Sequence, residues 1–158
     1  MAEPDPAPVS ASSTLRRTAR RRADLYRALI ATEQALARPA SGREDAWLEA
    51  VRQALDGVAA EIEAHVEITE GPDGLYDEIA ATAPRLTNAL DALRDEHVEM
   101  RSRVREEVAR LTARDADPET VDSTRADLAR LLGFLVKHRQ RGSDLVWQAY
   151  GLDIGGVG

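Results

Sequence analysis

The segment from Leu86 to Leu111 restricts the fold most strongly, because its apolar side chains recur at the spacing of one face of an α-helix. The apolar positions are Leu86, Leu90, Leu93, Met100, Val104, Val108 and Leu111. They continue for about seven helical turns, and the one inward position that is not apolar holds His97. The pattern predicts a long helix that buries one face, with a histidine in the middle of that face.

Turn-forming residues divide the rest of the chain into similar amphipathic segments. Breaks are predicted at Pro39–Gly42, at Gly71–Gly74 and at Asp115–Pro118, and no segment shows the alternating pattern of a β-strand. Four long helices joined by short connections predict an all-α fold. The expected architecture is an antiparallel up-down-up-down four-helix bundle.

Length and composition restrict the class of protein. The 158 residues suffice for one domain with its own core, which we expect at residues 14–150. Residues 1–13 contain three prolines and are expected to form a disordered N-terminal tail, and residues 151–158 a flexible C-terminal tail. The absence of cysteine excludes disulfides and thiolate metal sites. The net charge of −7 argues against nucleic acid as a partner, and the lack of a long apolar run or signal peptide against a membrane, so we expect a cytoplasmic location.

All three histidines of the chain, His65, His97 and His138, lie on the predicted inward faces of helices. Residues equidistant from a turn lie at the same height in an antiparallel helix pair, and the midpoint of His97 and His138 falls on the break at Asp117–Pro118. Neutral imidazole is the commonest ligand of transition metals in proteins. Three histidines at one level therefore predict a metal site in the core.

The position of the turn between the second and third helices decides whether His65 joins the other two histidines. The midpoint of His65 and His97 falls just before Pro84, so a turn there brings all three together. If the third helix instead starts at Gly74, the residue opposite His97 is Leu48, far along the helix from His65. The apolar spacing fits both registers, and we favour the first because it accounts for the histidines.

The segments around the three histidines match a known pattern of metal ligands. They are His65-Val-Glu-Ile-Thr-Glu70 followed by Leu75-Tyr76, then Glu96-His97, and His138 followed by Asp144-Leu145. Over roughly residues 15–150 the chain resembles the hemerythrin-like (HHE cation-binding) family, and its ending from Asp144 to Gly156 is similar to a divergent actinobacterial branch of that family.

Members of the hemerythrin-like family are four-helix bundles with a di-iron site. Their ligands are a histidine on the first helix, His-x3-Glu on the second, His-x3-His on the third and His-x4-Asp on the fourth. The resemblance implies iron in the bundle core and a non-enzymatic role in binding or sensing a small ligand such as dioxygen. The ligands that it implies are His65, His97, His138, Glu70 and Asp144.

The sequence departs from the family pattern at each second ligand position. The fourth residue after His65 is Thr69, the fourth after His97 is Arg101, and the fifth after His138 is Ser143. Glu70 and Asp144 each come one residue late, which turns a side chain by about 100° around a helix, and the first helix has no histidine. Glu61, one turn before His65, is the one carboxylate in register. We therefore expect either a mono- or dinuclear iron site or a metal-free bundle that keeps the histidines and Arg101 as a polar layer.

Other classes of metalloprotein and enzyme fit this sequence less well. The residues three before the histidines are Ile62, Arg94 and Leu135, which excludes the Glu-x-x-His pairs of ferritin-like proteins. No HExxH motif, phosphate loop or nucleophile constellation is present, so an enzyme is not expected. The remaining alternative is a structural or interaction bundle whose partner is a second copy of the chain, as a homodimer, or another protein. The basic segment Arg16–Arg22 is expected to be a solvated face, with an anion or partner patch as the alternative.

Overall fold

Four long α-helices and one short α-helix make up the fold of residues 12–151, the part of the chain that the computed structural model describes. The helices are α1 (Ser13–Ala37), α2 (Glu44–Glu70), α3 (Leu75–Thr82), α4 (Thr87–Ala113) and α5 (Pro118–Tyr150), and a 3₁₀ turn, Pro84–Leu86, precedes α4. No β-strand occurs within these residues, so the predicted all-α fold and the four-helix bundle are confirmed. The predicted tails lie outside the described residues, except for Ser12, Ser13 and Gly151.

The first and last helices are capped by side chains and backbone groups that the sequence supplies at their ends. The hydroxyl oxygen of Ser12 accepts a hydrogen bond from the backbone N–H of Leu15 at 3.0 Å, which caps α1. The carboxylate of Asp117 accepts one from the N–H of Thr120 at 2.8 Å, which caps α5. Gly151 ends α5 in the left-handed conformation, with φ of 66°.

Between α2 and α4 the chain passes through the short helix α3. α2 ends at Glu70, and the turn Gly71–Gly74 is so tight that a Cβ on Gly74 would lie 2.7 Å from the carbonyl oxygen of Thr69. α4 starts only after Pro84. The register in which the third long helix begins at Gly74 is therefore wrong, and the register with a turn near Pro84 is confirmed.

The core consists of two apolar clusters that meet near the level of the histidines. The larger cluster includes Trp47, Leu55, Met100, Leu128 and Leu135. The smaller cluster includes Leu15, Ile79, Leu90, Leu93 and Leu145. On α4, His97 lies between Leu93 of the smaller cluster and Met100 of the larger one, and His138 has the corresponding position on α5. The histidines thus form a polar layer between the two apolar clusters.

The surface of the described residues is largely polar. Three large apolar side chains on α4 and α5 are exposed, namely Val98, Val136 and Trp147. None of the α-helices between residues 12 and 151 has a segment long and apolar enough to cross a lipid bilayer.

Candidate metal centre

The three histidine side chains meet in the core, one from each of three helices. His65 comes from α2, His97 from α4 and His138 from α5, and their exposed fractions are 4%, 1% and 2%. Nε2 of His97 lies 3.1 Å from Nε2 of His65 and 3.1 Å from Nε2 of His138. The Nε2 atoms of His65 and His138 are 3.3 Å apart. The predicted convergence of the three imidazoles is therefore confirmed.

The triangle of Nε2 atoms has the size of one face of a metal coordination sphere. Imidazole nitrogen binds Zn²⁺ at about 2.0–2.1 Å, so two neighbouring ligands on one tetrahedral or octahedral ion lie roughly 2.8–3.4 Å apart. All three separations fall within that interval. Among the described residues, no carboxylate joins this group of potential ligand atoms. The donor set therefore fits a single ion better than a pair of ions.

Hydrogen bonds behind two of the histidines determine which ring nitrogen is available to a cation. His97 donates its Nδ1–H to Oε1 of Glu70 at 2.9 Å, and His138 donates its Nδ1–H to Oε2 of Glu96 at 2.6 Å. A neutral imidazole carries only one N–H, so Nε2 of both rings presents a lone pair to the centre of the cluster. Carboxylates in this position orient metal-binding histidines and fix their tautomer.

The contact between His97 and His138 has no proton to share when both rings are neutral. Their Nε2 atoms are 3.1 Å apart, and both are acceptors because each Nδ1–H is donated to a carboxylate. If Nε2 of His65 carries a proton, it can donate a good hydrogen bond to Nε2 of either His97 or His138, but not to both. One cation can bind the lone pairs of all three rings at once.

Burial keeps the imidazoles neutral, as metal ligation requires. Desolvation is the main cause that lowers the pKa of all three histidines, and it lowers the pKa of His97 to about 4. The neighbouring rings lower the pKa of His65 and His97 further, whereas the hydrogen bonds to Glu70 and Glu96 raise the pKa of His97 and His138 in part. All three side chains are therefore uncharged at neutral pH.

Glu61, a predicted ligand, stays outside the group of nitrogen atoms. Its Oε2 atom is buried and has no hydrogen-bond partner among residues 12–151. The same holds for Nδ1 of His65, one turn further along α2. Glu61 and the three Nε2 atoms do not form a common ligand group, so no contact supports a ligand role for Glu61.

The two carboxylates that the family resemblance implies as ligands do not face the Nε2 atoms either. The side chain of Glu70 is 27% exposed and contacts the outer nitrogen of His97 instead of the centre. Asp144 is exposed and accepts a hydrogen bond from Nε2 of Gln140 at 3.0 Å. Their one-residue displacement from the family pattern explains both positions, because it turns the side chain by about 100° around the helix.

Two residues at the family's remaining ligand positions have partners elsewhere. Thr69 donates its hydroxyl hydrogen to the carbonyl oxygen of His65 at 2.8 Å. Arg101 forms two hydrogen bonds with the carboxylate of Glu63, at 2.9 and 2.7 Å, on the surface. The predicted polar layer therefore contains the histidines, and the prediction that Arg101 belongs to it is wrong.

A buried arginine from α1 lies near the histidine cluster. Arg22 is 6% exposed, its charge lowers the pKa of His65, and its Nη2 donates to the carbonyl oxygen of Arg139 at 2.8 Å and to the hydroxyl of Ser143. Gly142 leaves room for this side chain, because a Cβ there would lie 2.7 Å from Nη1 of Arg22. The expected solvated basic face is thus wrong for Arg22. The other arginines of the segment, Arg16, Arg17, Arg20 and Arg21, are exposed.

Two residues that contact the histidines were not assigned a role by the sequence pattern. Oη of Tyr76 lies 3.4 Å from Nε2 of His97, and the two rings are stacked with an interplanar angle of 8°. Burial raises the pKa of the Tyr76 phenol. Glu96 precedes His97 in the sequence but bonds to His138 on another helix. Spacing along one helix cannot reveal a contact of that kind.

Comparison of the chain with models of protein families, with curated proteins and with solved structures found no match.

Proposed function

We propose that this protein is a metal-binding four-helix bundle that holds one transition-metal ion on the Nε2 atoms of His65, His97 and His138. The observation that carries the proposal is the convergence of the three buried Nε2 atoms, 3.1–3.3 Å apart, with the lone pairs of His97 and His138 facing each other. Neutral imidazole ligands suit iron, zinc, copper and nickel. Iron is the metal that the resemblance to the hemerythrin-like family implies.

The residues of the chain account for selection and orientation of the ion. The three imidazoles supply neutral nitrogen ligands, and Glu70 and Glu96 hold two of the rings in the tautomer that binds metal. The apolar clusters on both sides exclude water from the layer. A bound ion would supply Lewis acidity and, for iron, affinity for a small ligand such as dioxygen.

We also infer that neighbouring long helices run antiparallel, in the order up-down-up-down. Two contacts join α2 and α4: Glu63 contacts Arg101, and Arg52 contacts the carbonyl oxygen of Leu111. The contact that lies earlier in α2 lies later in α4 by nearly the same number of residues, as in an antiparallel pair. The contacts between α1 and α5 follow the same rule. This arrangement is the one in which turns at both ends place the histidines at one height.

A metal-free interaction bundle is the second candidate function. The exposed apolar side chains Val98, Val136 and Trp147 favour it, because they would suit a protein partner or a second copy of the chain. Dispersed histidines would have favoured it further, but the three imidazoles are close together.

The test is the metal content of protein purified without a histidine tag and then loaded anaerobically with ferrous iron or zinc. The chain has no cysteine and no fourth histidine, so the cluster is its only source of imidazole or thiolate ligands. We expect one ion per chain, and its loss in His138→Leu. Asp144→Asn is the matched control, because this exposed carboxylate bonds only to Gln140 in the described structure and should leave binding unchanged. Wild-type protein that takes up neither metal would refute the proposal and leave the interaction bundle.

A further inference from the structure

We propose that Oη of Tyr76 is a fourth ligand of the ion, so that the site binds ferric iron as a phenolate complex. The inference rests on the proposed function, because it needs the three histidines to bind a metal. It adds an anionic oxygen ligand to a donor set that otherwise contains only neutral nitrogen. It also assigns a function to the short helix α3, which lies outside the four-helix pattern.

The position of the Tyr76 hydroxyl supports direct ligation. Its distance of 3.4 Å from Nε2 of His97 lies at the upper end of the separation of neighbouring ligand atoms on one ion, which is roughly 2.8–3.4 Å. The phenol and imidazole rings are nearly parallel, at 8°, with centroids 5.7 Å apart. The side chain is 3% exposed, so the hydroxyl points into the protein and not into solvent.

A simple hydrogen bond accounts less well for the contact between Tyr76 and His97. Hydroxyl groups usually donate over about 2.7–2.8 Å, and 3.4 Å is at the limit of such a bond. The approach of Tyr76 to the imidazole nitrogen is therefore left without a strong bond of its own.

The tight turn before α3 brings the chain back toward the histidines, so that Tyr76 lies beside His97. Gly74 cannot carry a side chain there, because a Cβ would lie 2.7 Å from two carbonyl oxygens, those of Thr69 and Gly71. Leu75 and Ile79, the neighbouring inward residues of α3, are buried in the smaller apolar cluster and fix the helix in place. Tyr76 is thus held by packing on both sides of its own position.

Binding of ferric iron to the site is a ligand exchange in which the oxidation state of the iron does not change. Ferric iron supplied as its citrate complex loses citrate oxygen ligands, the phenol O–H bond breaks, and the iron–oxygen bond to Tyr76 forms. The proton passes to buffer, and the iron remains ferric throughout. A hard oxygen anion favours the trivalent ion over softer divalent metals.

The experiment loads untagged protein with ferric citrate and records bound iron, the visible spectrum and the resonance Raman spectrum. We expect about one iron per chain, an intense phenolate-to-iron charge-transfer band, and phenolate vibrations that are enhanced within that band. Tyr76→Phe should abolish the band and weaken iron binding by about tenfold or more, by analogy with the loss of groups that support a metal site.

Tyr150→Phe is the matched control. Tyr150 is a second partly buried tyrosine, and its hydroxyl donates to Oε2 of Glu78 at 2.6 Å, so its removal should leave the band unchanged. The Raman spectrum of the wild-type protein tests the ligand independently of whether a variant folds. Iron bound without the band, or a band that persists in Tyr76→Phe, overturns the tyrosine ligand and leaves the three-histidine site intact. Wild-type protein that binds no iron or zinc overturns both proposals.

Discussion

The carboxylate of Glu96 accepts a hydrogen bond from Nδ1 of His138 at 2.6 Å, although Glu96 is the residue immediately before His97 on α4. α4 therefore serves two of the three imidazoles. It carries the ring of His97 and, on the preceding residue, the carboxylate that accepts a hydrogen bond from His138. Glu96 also forms an ion pair with Arg141 on α5, which ties the two helices together beside the site.

Replacing Glu96 by alanine should weaken metal binding by about 10–100-fold, because His138 loses the acceptor that fixes its tautomer. Competitive titration with a metal-binding dye measures the affinity. Glu99→Ala is the control, since Glu99 lies on the same helix but pairs with Arg103 on the surface. Equal affinities for the two variants would contradict the supporting role of Glu96.

His97→Leu should abolish the stabilisation that metal gives, while the metal-free protein unfolds at the same or a slightly higher urea concentration. A leucine of similar size removes a lone pair that faces His138, and Glu70 can turn to water because its side chain is 27% exposed. The gain is roughly 1 kcal/mol at most. Urea unfolding with and without zinc checks both statements, with Met100→Leu as a neighbouring core control. Metal-dependent stabilisation that survives in His97→Leu would contradict the assignment of His97.

The metal-free protein should lose stability as the pH falls from about 6.5 to about 4. The pKa of His97 is lowered to about 4 in the folded state, mainly by burial, while an unfolded histidine titrates near 6.5. Over this window the unfolded chain binds protons that the folded chain does not, so the free energy of unfolding decreases. The groups that face His97 are His65, His138, Glu70 and Tyr76, and the charge of Arg101 also lowers the pKa of His97.

Urea unfolding of metal-free protein at about pH 7.5 and about pH 5 measures this effect. The expected loss from His97 is up to about 2 kcal/mol, and the lowered pKa values of His65 and His138 act in the same direction. His97→Leu should lose less than the wild type, because one titrating group is gone. Unfolding free energies that stay constant or rise on acidification would contradict neutral, buried imidazoles.

Replacement by alanine should affect stability differently at two glycines of α5. Gly133 is exposed and nothing lies within 4 Å of an added Cβ, so Gly133→Ala should stabilise the protein by about 0.5–1 kcal/mol through helix propensity. At Gly142 the new Cβ would lie 2.7 Å from Nη1 of the buried Arg22, whose bonds to Arg139 and Ser143 would weaken. We expect that loss, about 1 kcal/mol, to cancel or exceed the gain. Thermal or urea unfolding compares the two variants, and an equal stabilisation in both would show that Arg22 moves without penalty.

The height of the histidines could be predicted from the sequence because it depends only on the helical period and on the turns. The helical period and the turns can both be identified from local residue types, such as the break at Asp117–Pro118 and the apolar stripe around His97. The only real ambiguity, the start of α4, arose because the residues of α3 continue the apolar pattern of a long helix.

The environment of the histidines could not be predicted in the same way. The roles of Glu96 and Tyr76 depend on how side chains turn between helices and on the path of α3, neither of which is a property of one helix. Arg22 is different, because a signal for its burial was present. It falls at helical spacing from Leu15, Thr18, Leu25 and Leu29, all of which are buried, but the adjacent arginines make the segment read as a basic surface.

The histidine layer also favours one register of the helices in the bundle. Shifting α4 by one turn against α2 and α5, about 5.4 Å, would separate His97 from His65 and His138 and move its imidazole toward one of the two apolar clusters. Only one vertical alignment of α2, α4 and α5 lets all three rings meet. The alignment of the helices is therefore encoded in the polypeptide itself, and an ion that binds there would encounter a site whose ligands are already at the right height.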